Sequence, residues 1–181
     1  MISAIEMRFT VLPGALSADD QHKLAVEMAT SRFMTEASNK GEMLPCFCAY
    51  CPNGVPGRSA DPTMVFLVAP WGDEDEKLVI LGTLRSAFAD LGVSRYSFWS
   101  EAWFATLDAQ QFRAMKTPVR LRDDRQEMLF VLTIDRDRPD ILTGDFLIER
   151  PWDGGLPSLT PIDRSDFGGH SGLLVSLLGE R

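Results

Sequence analysis

The sequence predicts an α+β protein with one mixed β-sheet, two main helices, a β-α-β unit and a C-terminal hairpin. Three observations predict this class. A capped amphipathic segment begins at Ser17, two apolar runs enclose a helical pattern over residues 63–104, and two later apolar runs flank a turn. With 181 residues, 45% of them apolar, the chain can bury a core without metals or disulfides. We therefore expect a single domain over residues 1–181.

The N-terminal part is predicted to hold a short strand and the first helix. Residues 5–12 fit the strand, because a Pro-Gly turn signal follows them. The helix is predicted over residues 17–38, where the Ser17 hydroxyl can cap the first turn and Asp19 and Asp20 favour the helix dipole. Its predicted buried stripe consists of Leu24, Ala25, Met28, Ala29 and Phe33.

The β-α-β unit is the strongest local pattern. Residues 63–69 form a short apolar run bounded by prolines, as expected of a strand covered on both faces. Acidic residues 73–76 then load the first turn of a helix, which Gly92 ends. The predicted apolar face of this helix is Leu78, Leu81, Leu84, Phe88 and Leu91. A second strand from about Ser94 completes a unit that usually joins two parallel strands through a right-handed crossover.

The remainder of the chain predicts an excursion, a hairpin and a loop-rich end. Residues 108–125 are polar, with one short helical turn predicted at 109–115. Residues 127–134 and 141–149 are apolar runs on either side of a turn sequence, DRDRPD, and predict an antiparallel hairpin. Beyond Pro151 the chain is rich in Pro, Gly and Ser until residues 171–180, which suit a short helix or strand.

Charge and apolar patterning exclude several classes of protein. The net charge of -8 repels a phosphate backbone, so nucleic-acid binding is not expected. The first residues lack the pattern of a secretory signal, and no apolar run is long enough to span a membrane. We therefore expect a cytoplasmic protein without a membrane partner.

The three cysteines, Cys46, Cys48 and Cys51, lie within six residues. Cys48 and Cys51 have the C-x-x-C spacing that lets two thiolates share one zinc ion, but further ligands could come only from the isolated His22 and His170. A redox pair would need a helix start after Cys51, where Pro-Asn-Gly predicts a turn. The favoured interpretation is that the thiols are small apolar groups buried at the end of a strand.

Glu101 stands out in the sequence Trp99 to Phe104. Strand alternation places Glu101 on the same face as Trp99 and Trp103, where a carboxylate is costly unless it is paired, protonated or in use. The favoured hypothesis is an ion pair. Its candidate partners are Arg120, Arg122 and Arg125.

The other hypothesis makes Glu101 a general acid/base or a metal ligand. Its partner would be a carboxylate on a neighbouring strand: Glu127, Asp135 or Asp145. Carboxylates arranged in this way hold Mg²⁺ through oxygen ligands in many nucleases. The close Asp/Glu and Lys signature of such enzymes is missing from this sequence.

Two short motifs carry a resemblance. Residues 100–103, SEAW, followed by residues 123–127, DDRQE, resemble uncharacterised bacterial and phage proteins. The resemblance implies a bacterial or prophage origin and no established activity. It implies that Glu101, Trp103, Arg125 and Glu127 define the family.

These observations leave two functional hypotheses. The favoured one is a non-catalytic binding or assembly domain with a protein partner or a second copy, in which Trp99, Trp103 and Arg125 supply binding surface. Trp71 and Trp152 are the further tryptophans available to it. The alternative is a metal-dependent hydrolase or nuclease-like enzyme that uses Glu101 with a neighbouring carboxylate. No cofactor is favoured; zinc at the cysteines and magnesium at the carboxylates are the possible ones.

Overall fold

The computed structural model describes residues 6–105, 110, 116–117, 119–162 and 177–178. Among the described residues, the α-helices with defined bounds are α1 (Ala18–Ser38) and α2 (Glu74–Asp90), and a 3₁₀ helix covers Val119–Leu121. The strands are β1 (Glu6–Val11), β2 (Cys46–Cys51), β3 (Thr63–Val68), β4 (Arg95–Phe104), β5 (Gln126–Asp135), β6 (Leu142–Thr143), β7 (Asp145–Glu149) and β8 (Ser158–Ile162). The predicted helical turn at 109–115 lies outside the described residues except for residue 110, as does the segment 171–180 except for residues 177–178.

All eight strands join one sheet in the order β1-β3-β2-β4-β5-β7-β8, with β6 paired to β5. The predicted α+β class, with two helices, a β-α-β unit and a C-terminal hairpin, is confirmed. The pairing differs in one respect. Because β2 lies antiparallel between β3 and β4, those two strands are parallel to each other but not adjacent, and every described ladder is antiparallel.

Helix α1 covers one face of the sheet. The backbone N–H of Asp20 donates to the Ser17 Oγ at 3.1 Å, which confirms the predicted cap. Ala25, Ala29 and Phe33 are buried as predicted, but the rest of the buried face is Ala18 and Gln21. The other two residues of the predicted stripe, Leu24 and Met28, are only half-buried. The helix is therefore rotated so that a polar side chain, Gln21, enters the interface.

A buried polar network explains why Gln21 faces the sheet. The Arg95 guanidinium donates from Nε to Gln21 Oε1 at 2.7 Å and from Nη1 to Asp135 Oδ2 at 2.9 Å. Its Nη2 donates to the carbonyl of Leu16, just before α1. Gln21 Nε2 in turn donates to the carbonyl of Cys48 at 2.9 Å. One guanidinium thus connects the start of α1 to β4 and β5, and Gln21 extends the connection to β2.

Helix α2 covers the opposite face. Its N-cap is Asp73, whose Oδ1 accepts from the Glu76 N–H at 2.8 Å, and Gly92 follows its end with a φ of 63°. The buried residues are Ile80, Leu81, Leu84 and Phe88. The predicted assignment of Leu78 to the core is wrong, because this side chain points outward and is 50% exposed. Neither α-helix combines the length and apolar character needed to cross a membrane.

Strand β8 was not predicted. Residues 158–162 lie in a stretch whose proline and glycine content indicates loop, yet they pair with β7 along its whole length. The strand contains Pro161, a residue that a ladder accepts at the edge of a sheet because it has no N–H to donate. The edge position, which the local sequence does not reveal, therefore permits this strand.

The network makes a testable prediction about stability. Arg95→Ala should lower the free energy of unfolding by about 3–5 kcal/mol, because Asp135 and Gln21 then stay buried without the guanidinium. Urea unfolding followed by circular dichroism measures this change. Arg138→Ala, which removes ion pairs to Asp19 and Asp140 at the surface, is the control and should have a much smaller effect. Equal, small losses in both variants would show that the network does not hold α1.

Candidate functional site

The cysteine cluster forms the whole of a central strand, β2. The prediction that the cysteines lie at the end of a strand is therefore wrong about their position, because they span the strand from its first residue to its last. Cys46 and Cys48 pack with residues under α1, whereas Cys51 packs on the α2 side. In a strand, a spacing of three residues places two side chains on opposite faces. Cys48 and Cys51 therefore cannot bind one zinc ion together, and the turn predicted after Cys51 is present.

The thiols behave as core groups. All three are free and buried, and burial raises the pKa of Cys46 and Cys51 to about 11. Burial raises the pKa of Cys48 as well. Within the described part of the chain, no three His, Cys, Asp or Glu side chains come together to hold a metal. Protonated thiols without further ligands support the interpretation as core residues, and neither the zinc nor the redox interpretation.

Strand β4 presents its residues as the alternation predicts. Arg95 and Trp99 lie under α1, and Tyr96 and Phe98 pack on the α2 side. The last five residues of β4 extend past the start of β2 and pair only with β5. Along this extension the shared face passes from the buried Trp99, 1% exposed, to Trp103, 47% exposed. Glu101 therefore sits at the boundary between core and solvent.

The predicted ion pair of Glu101 exists, but its cation is Arg150. Arg150 Nη2 lies 3.0 Å from Glu101 Oε2 and 2.6 Å from Glu127 Oε1, and its Nε donates to Glu127 Oε2 at 2.8 Å. The predicted partners are engaged elsewhere where they are described. Arg122 pairs with Asp124, and the Arg125 guanidinium lies 5.0 Å from the ring centre of Trp103.

Glu101 also supports the segment that follows α1. Its Oε1 accepts from the backbone N–H of Met43 at 3.1 Å, and Met43 is buried. Burial raises the pKa of Glu101, and the hydrogen bond and charge of Glu127 add to this. The Met43 N–H and the Arg150 guanidinium oppose it. The neighbouring Glu127 carboxyl group therefore favours the protonated form of Glu101, and the Arg150 guanidinium favours the ionised form.

The other predicted carboxylate partners lie elsewhere. Asp135 pairs with Arg95 at the opposite end of β4, and Asp145 Oδ1 accepts from the backbone N–H of Val131 at 3.2 Å. Of the three candidates, only Glu127 joins Glu101. Arg150 was missed because its contact depends on the register between β5 and β7, in which Met128 pairs with Leu147. Continuing this register places Ile148 opposite Glu127 and Arg150 two residues further along on the same face, where a long side chain reaches the diagonal neighbour.

A cavity of about 570 Å³ opens at this end of the sheet. Glu42, Met43 and Trp103 line it together with the Glu101, Glu127 and Arg150 cluster. Two leucines nearby are exposed: Leu44, next to Met43, and Leu121, in the 3₁₀ helix that contacts β4. We call Glu42, Leu44, Trp103, Leu121 and Arg125 the Trp103 surface. Trp152, 98% exposed, follows β7 at the same end of the sheet.

Comparison with known proteins gives no functional lead. No protein-family model, no curated protein and no solved structure matches this chain. The resemblance carried by the SEAW and DDRQE motifs therefore stays a prediction.

The carboxyl pair predicts a specific dependence of stability on pH. Because folding raises the pKa of Glu101, the folded state binds more protons than the unfolded state, so stability falls as pH rises above the ordinary value of 4.5. Glu101→Gln should remove the part of this pH-dependent loss of stability that comes from Glu101. The amide oxygen can accept from Met43 and the amide NH₂ can donate to Glu127, and neither group titrates. Urea unfolding at a series of pH values measures it.

Glu101→Ala is the matched comparison. It leaves the buried Met43 N–H without its acceptor and should cost about 1–3 kcal/mol at any pH. If the glutamine variant lost as much stability as the alanine variant, the negative charge of Glu101 rather than its hydrogen bonds would hold the segment.

Proposed function

We propose that this protein is a non-catalytic binding and assembly domain, and that its Trp103 surface binds a second copy of the chain. One observation carries the proposal. Trp103 is half-exposed under the Arg125 guanidinium, and in the described part of the chain no carboxylate pairs with Arg125. Tryptophan and arginine are the residues that most often dominate the binding energy of protein interfaces.

The charges of the surface favour a second copy as the partner. Glu42 is exposed and lines the same cavity as Trp103, and none of the described cations pairs with it. In a two-fold symmetric interface, each contact between residues i and j occurs twice. Arg125 of each copy can therefore meet Glu42 of the other, which satisfies both charges in both chains.

The carboxyl cluster supports this surface by positioning it. Glu101 holds the Met43 N–H, and Met43 lies between the two surface residues Glu42 and Leu44. Arg150 ties Glu101 to Glu127, which is the cross-strand neighbour of Trp103. Glu101, Glu127 and Arg150 thus hold the segments next to Trp103 in place. This structural role of the carboxylates involves no catalytic step.

The acidic charge supports two further parts of the proposal. We infer a cytoplasmic protein of bacterial or prophage origin that does not bind nucleic acid, since a net charge of -8 opposes contact with phosphates. The assembly would be formed by protein surfaces alone.

A metal-dependent hydrolase is the second candidate. It is favoured by one feature, a carboxyl pair with a raised pKa for Glu101 that faces an open cavity. It is opposed by Arg150, whose guanidinium occupies the carboxylate oxygens that a cation would need. A rise in the melting temperature with Mg²⁺ that Glu101→Gln abolishes would favour the hydrolase over the assembly domain.

Charge reversal tests the assembly. Arg125→Glu and Glu42→Arg should each weaken self-association by about tenfold or more, because each places like charges in both symmetric contacts. An equimolar mixture of the two variants should associate, since every contact then joins a glutamate to an arginine. Sedimentation velocity over a range of micromolar concentrations measures all three samples and the wild type.

Two further variants and a check of folding make the outcome decisive. Trp103→Ala should dissociate the pair, and Arg138→Glu, remote from the Trp103 surface, should leave it intact. Circular dichroism establishes that each variant folds. A wild type that stays monomeric up to hundreds of micromolar would overturn the proposal, and a mixture that does not associate would overturn the pairing of Arg125 with Glu42.

A further inference from the structure

A second cavity, of about 690 Å³, lies on the α1 side of the sheet. Helix α1 packs mainly over β4, β5 and β6, and the cavity lies between the helix and the outer strands β1 and β3. The space between the helix and these strands is a groove. Its lining includes Arg8, Leu24, Met28, Arg32, Phe66 and Trp99.

Part of the groove's lining is apolar. Phe66 and Val68 of β3 face it from the sheet, and Leu24 and Met28 face it from α1. All four side chains are half-buried. Leu24 and Met28 are only half-buried because they face this groove rather than the core. An apolar molecule in the groove would remove its own surface and these side chains from water.

Trp99 lines the groove and carries a hydrogen-bond donor without a described acceptor. Its side chain is 1% exposed, and its indole Nε1–H has no acceptor among the described residues. A buried indole N–H usually has a partner, because removing the donor from water is otherwise uncompensated. A bound molecule with an acceptor atom would supply the missing hydrogen bond of the Trp99 N–H.

Arg32 is a second donor with weak partners. Its Nη1 donates to the Cys46 Sγ at 3.1 Å, and its Nε lies 3.9 Å from Glu36 Oε1. A thiol sulfur is a weak acceptor, and a carboxylate at that distance is at the limit of an ion pair. Cys46 is also the cross-strand neighbour of Trp99. The Arg32 guanidinium and the Trp99 side chain, whose donors lack good acceptors, therefore both lie next to Cys46.

Cationic side chains line the groove near these donors. Arg8 and Arg32 line it beside one carboxylate, Glu27, and Glu36 lies at the limit of an ion pair with Arg32. A guanidinium whose acceptors are a thiol and a distant carboxylate favours the closer, charge-assisted hydrogen bond that an anion would offer.

We propose that the groove binds an amphipathic anion, an apolar molecule with one terminal carboxylate. The carboxylate oxygens accept from the Arg32 guanidinium and the Trp99 indole N–H, and the apolar body lies along Met28, Phe66 and Val68. This binding is independent of the assembly through the Trp103 surface, which lies at the end of the sheet.

Titration with decanoate, below the concentration at which it forms micelles, tests the proposal. The Trp99 indole resonance in a ¹⁵N–¹H spectrum is assigned by its loss in Trp99→Phe. Decanoate should move it downfield, as expected for an N–H that gains a charged acceptor. Decanol, with the same chain and no charge, should bind about tenfold more weakly, and inorganic phosphate, which lacks the apolar body, should not move the resonance.

Arg32→Met keeps an apolar stem of similar length and removes the guanidinium. It should weaken decanoate binding by about tenfold and leave decanol binding unchanged. Arg138→Met is the control and should bind like the wild type. No movement of the Trp99 resonance would overturn the site, and equal binding of decanol and decanoate would overturn the anion. An Arg32→Met variant that binds decanoate like the wild type would overturn the role of Arg32.

Discussion

The position of α1 depends on one buried guanidinium. Arg95 has donor groups that must all be satisfied once it leaves water, and its acceptors lie on three separate segments: Gln21 on α1, Leu16 before it, and Asp135 on β5. The ring of Tyr50 on β2 lies 4.6 Å from the same guanidinium. Because a shift of α1 by one residue would leave Arg95 without Gln21, the helix has a single register on the sheet.

The fixed register of α1 determines both surfaces of interest. Beside the outer strands β1 and β3 it leaves a cavity, so Leu24 and Met28 face this groove rather than the core. At its other end it delivers the segment that carries Glu42 to the extended end of β4, where Glu101 accepts from Met43. A polar contact at the start of the helix therefore determines the surroundings of residues that lie more than one helical turn away.

Local rules predicted the parts of this structure that depend on neighbours in sequence. The Ser17 cap, the acidic start of α2 and the alternation of Trp99, Glu101 and Trp103 follow from spacing alone. The insertion of β2 between β3 and β4, the edge strand β8 and the contact of Arg150 depend on strand pairing, which is decided between distant segments. The C-x-x-C spacing left zinc and redox interpretations open beside the favoured core interpretation for the same reason, since its meaning changes between a helix, a loop and a strand.

A polar side chain in an apolar setting has different meanings according to its partners. Glu101 lies between two tryptophans in sequence. It accepts a hydrogen bond from the Met43 N–H, pairs with Arg150 and lies beside Glu127, so its polar atoms are accounted for within the fold. Trp99, two residues earlier on the same face, is more deeply buried and has no described acceptor for its N–H. The Glu101 carboxylate, whose partners are all within the fold, serves stability. The Trp99 N–H, which has no described acceptor, is the donor that our proposed ligand would use.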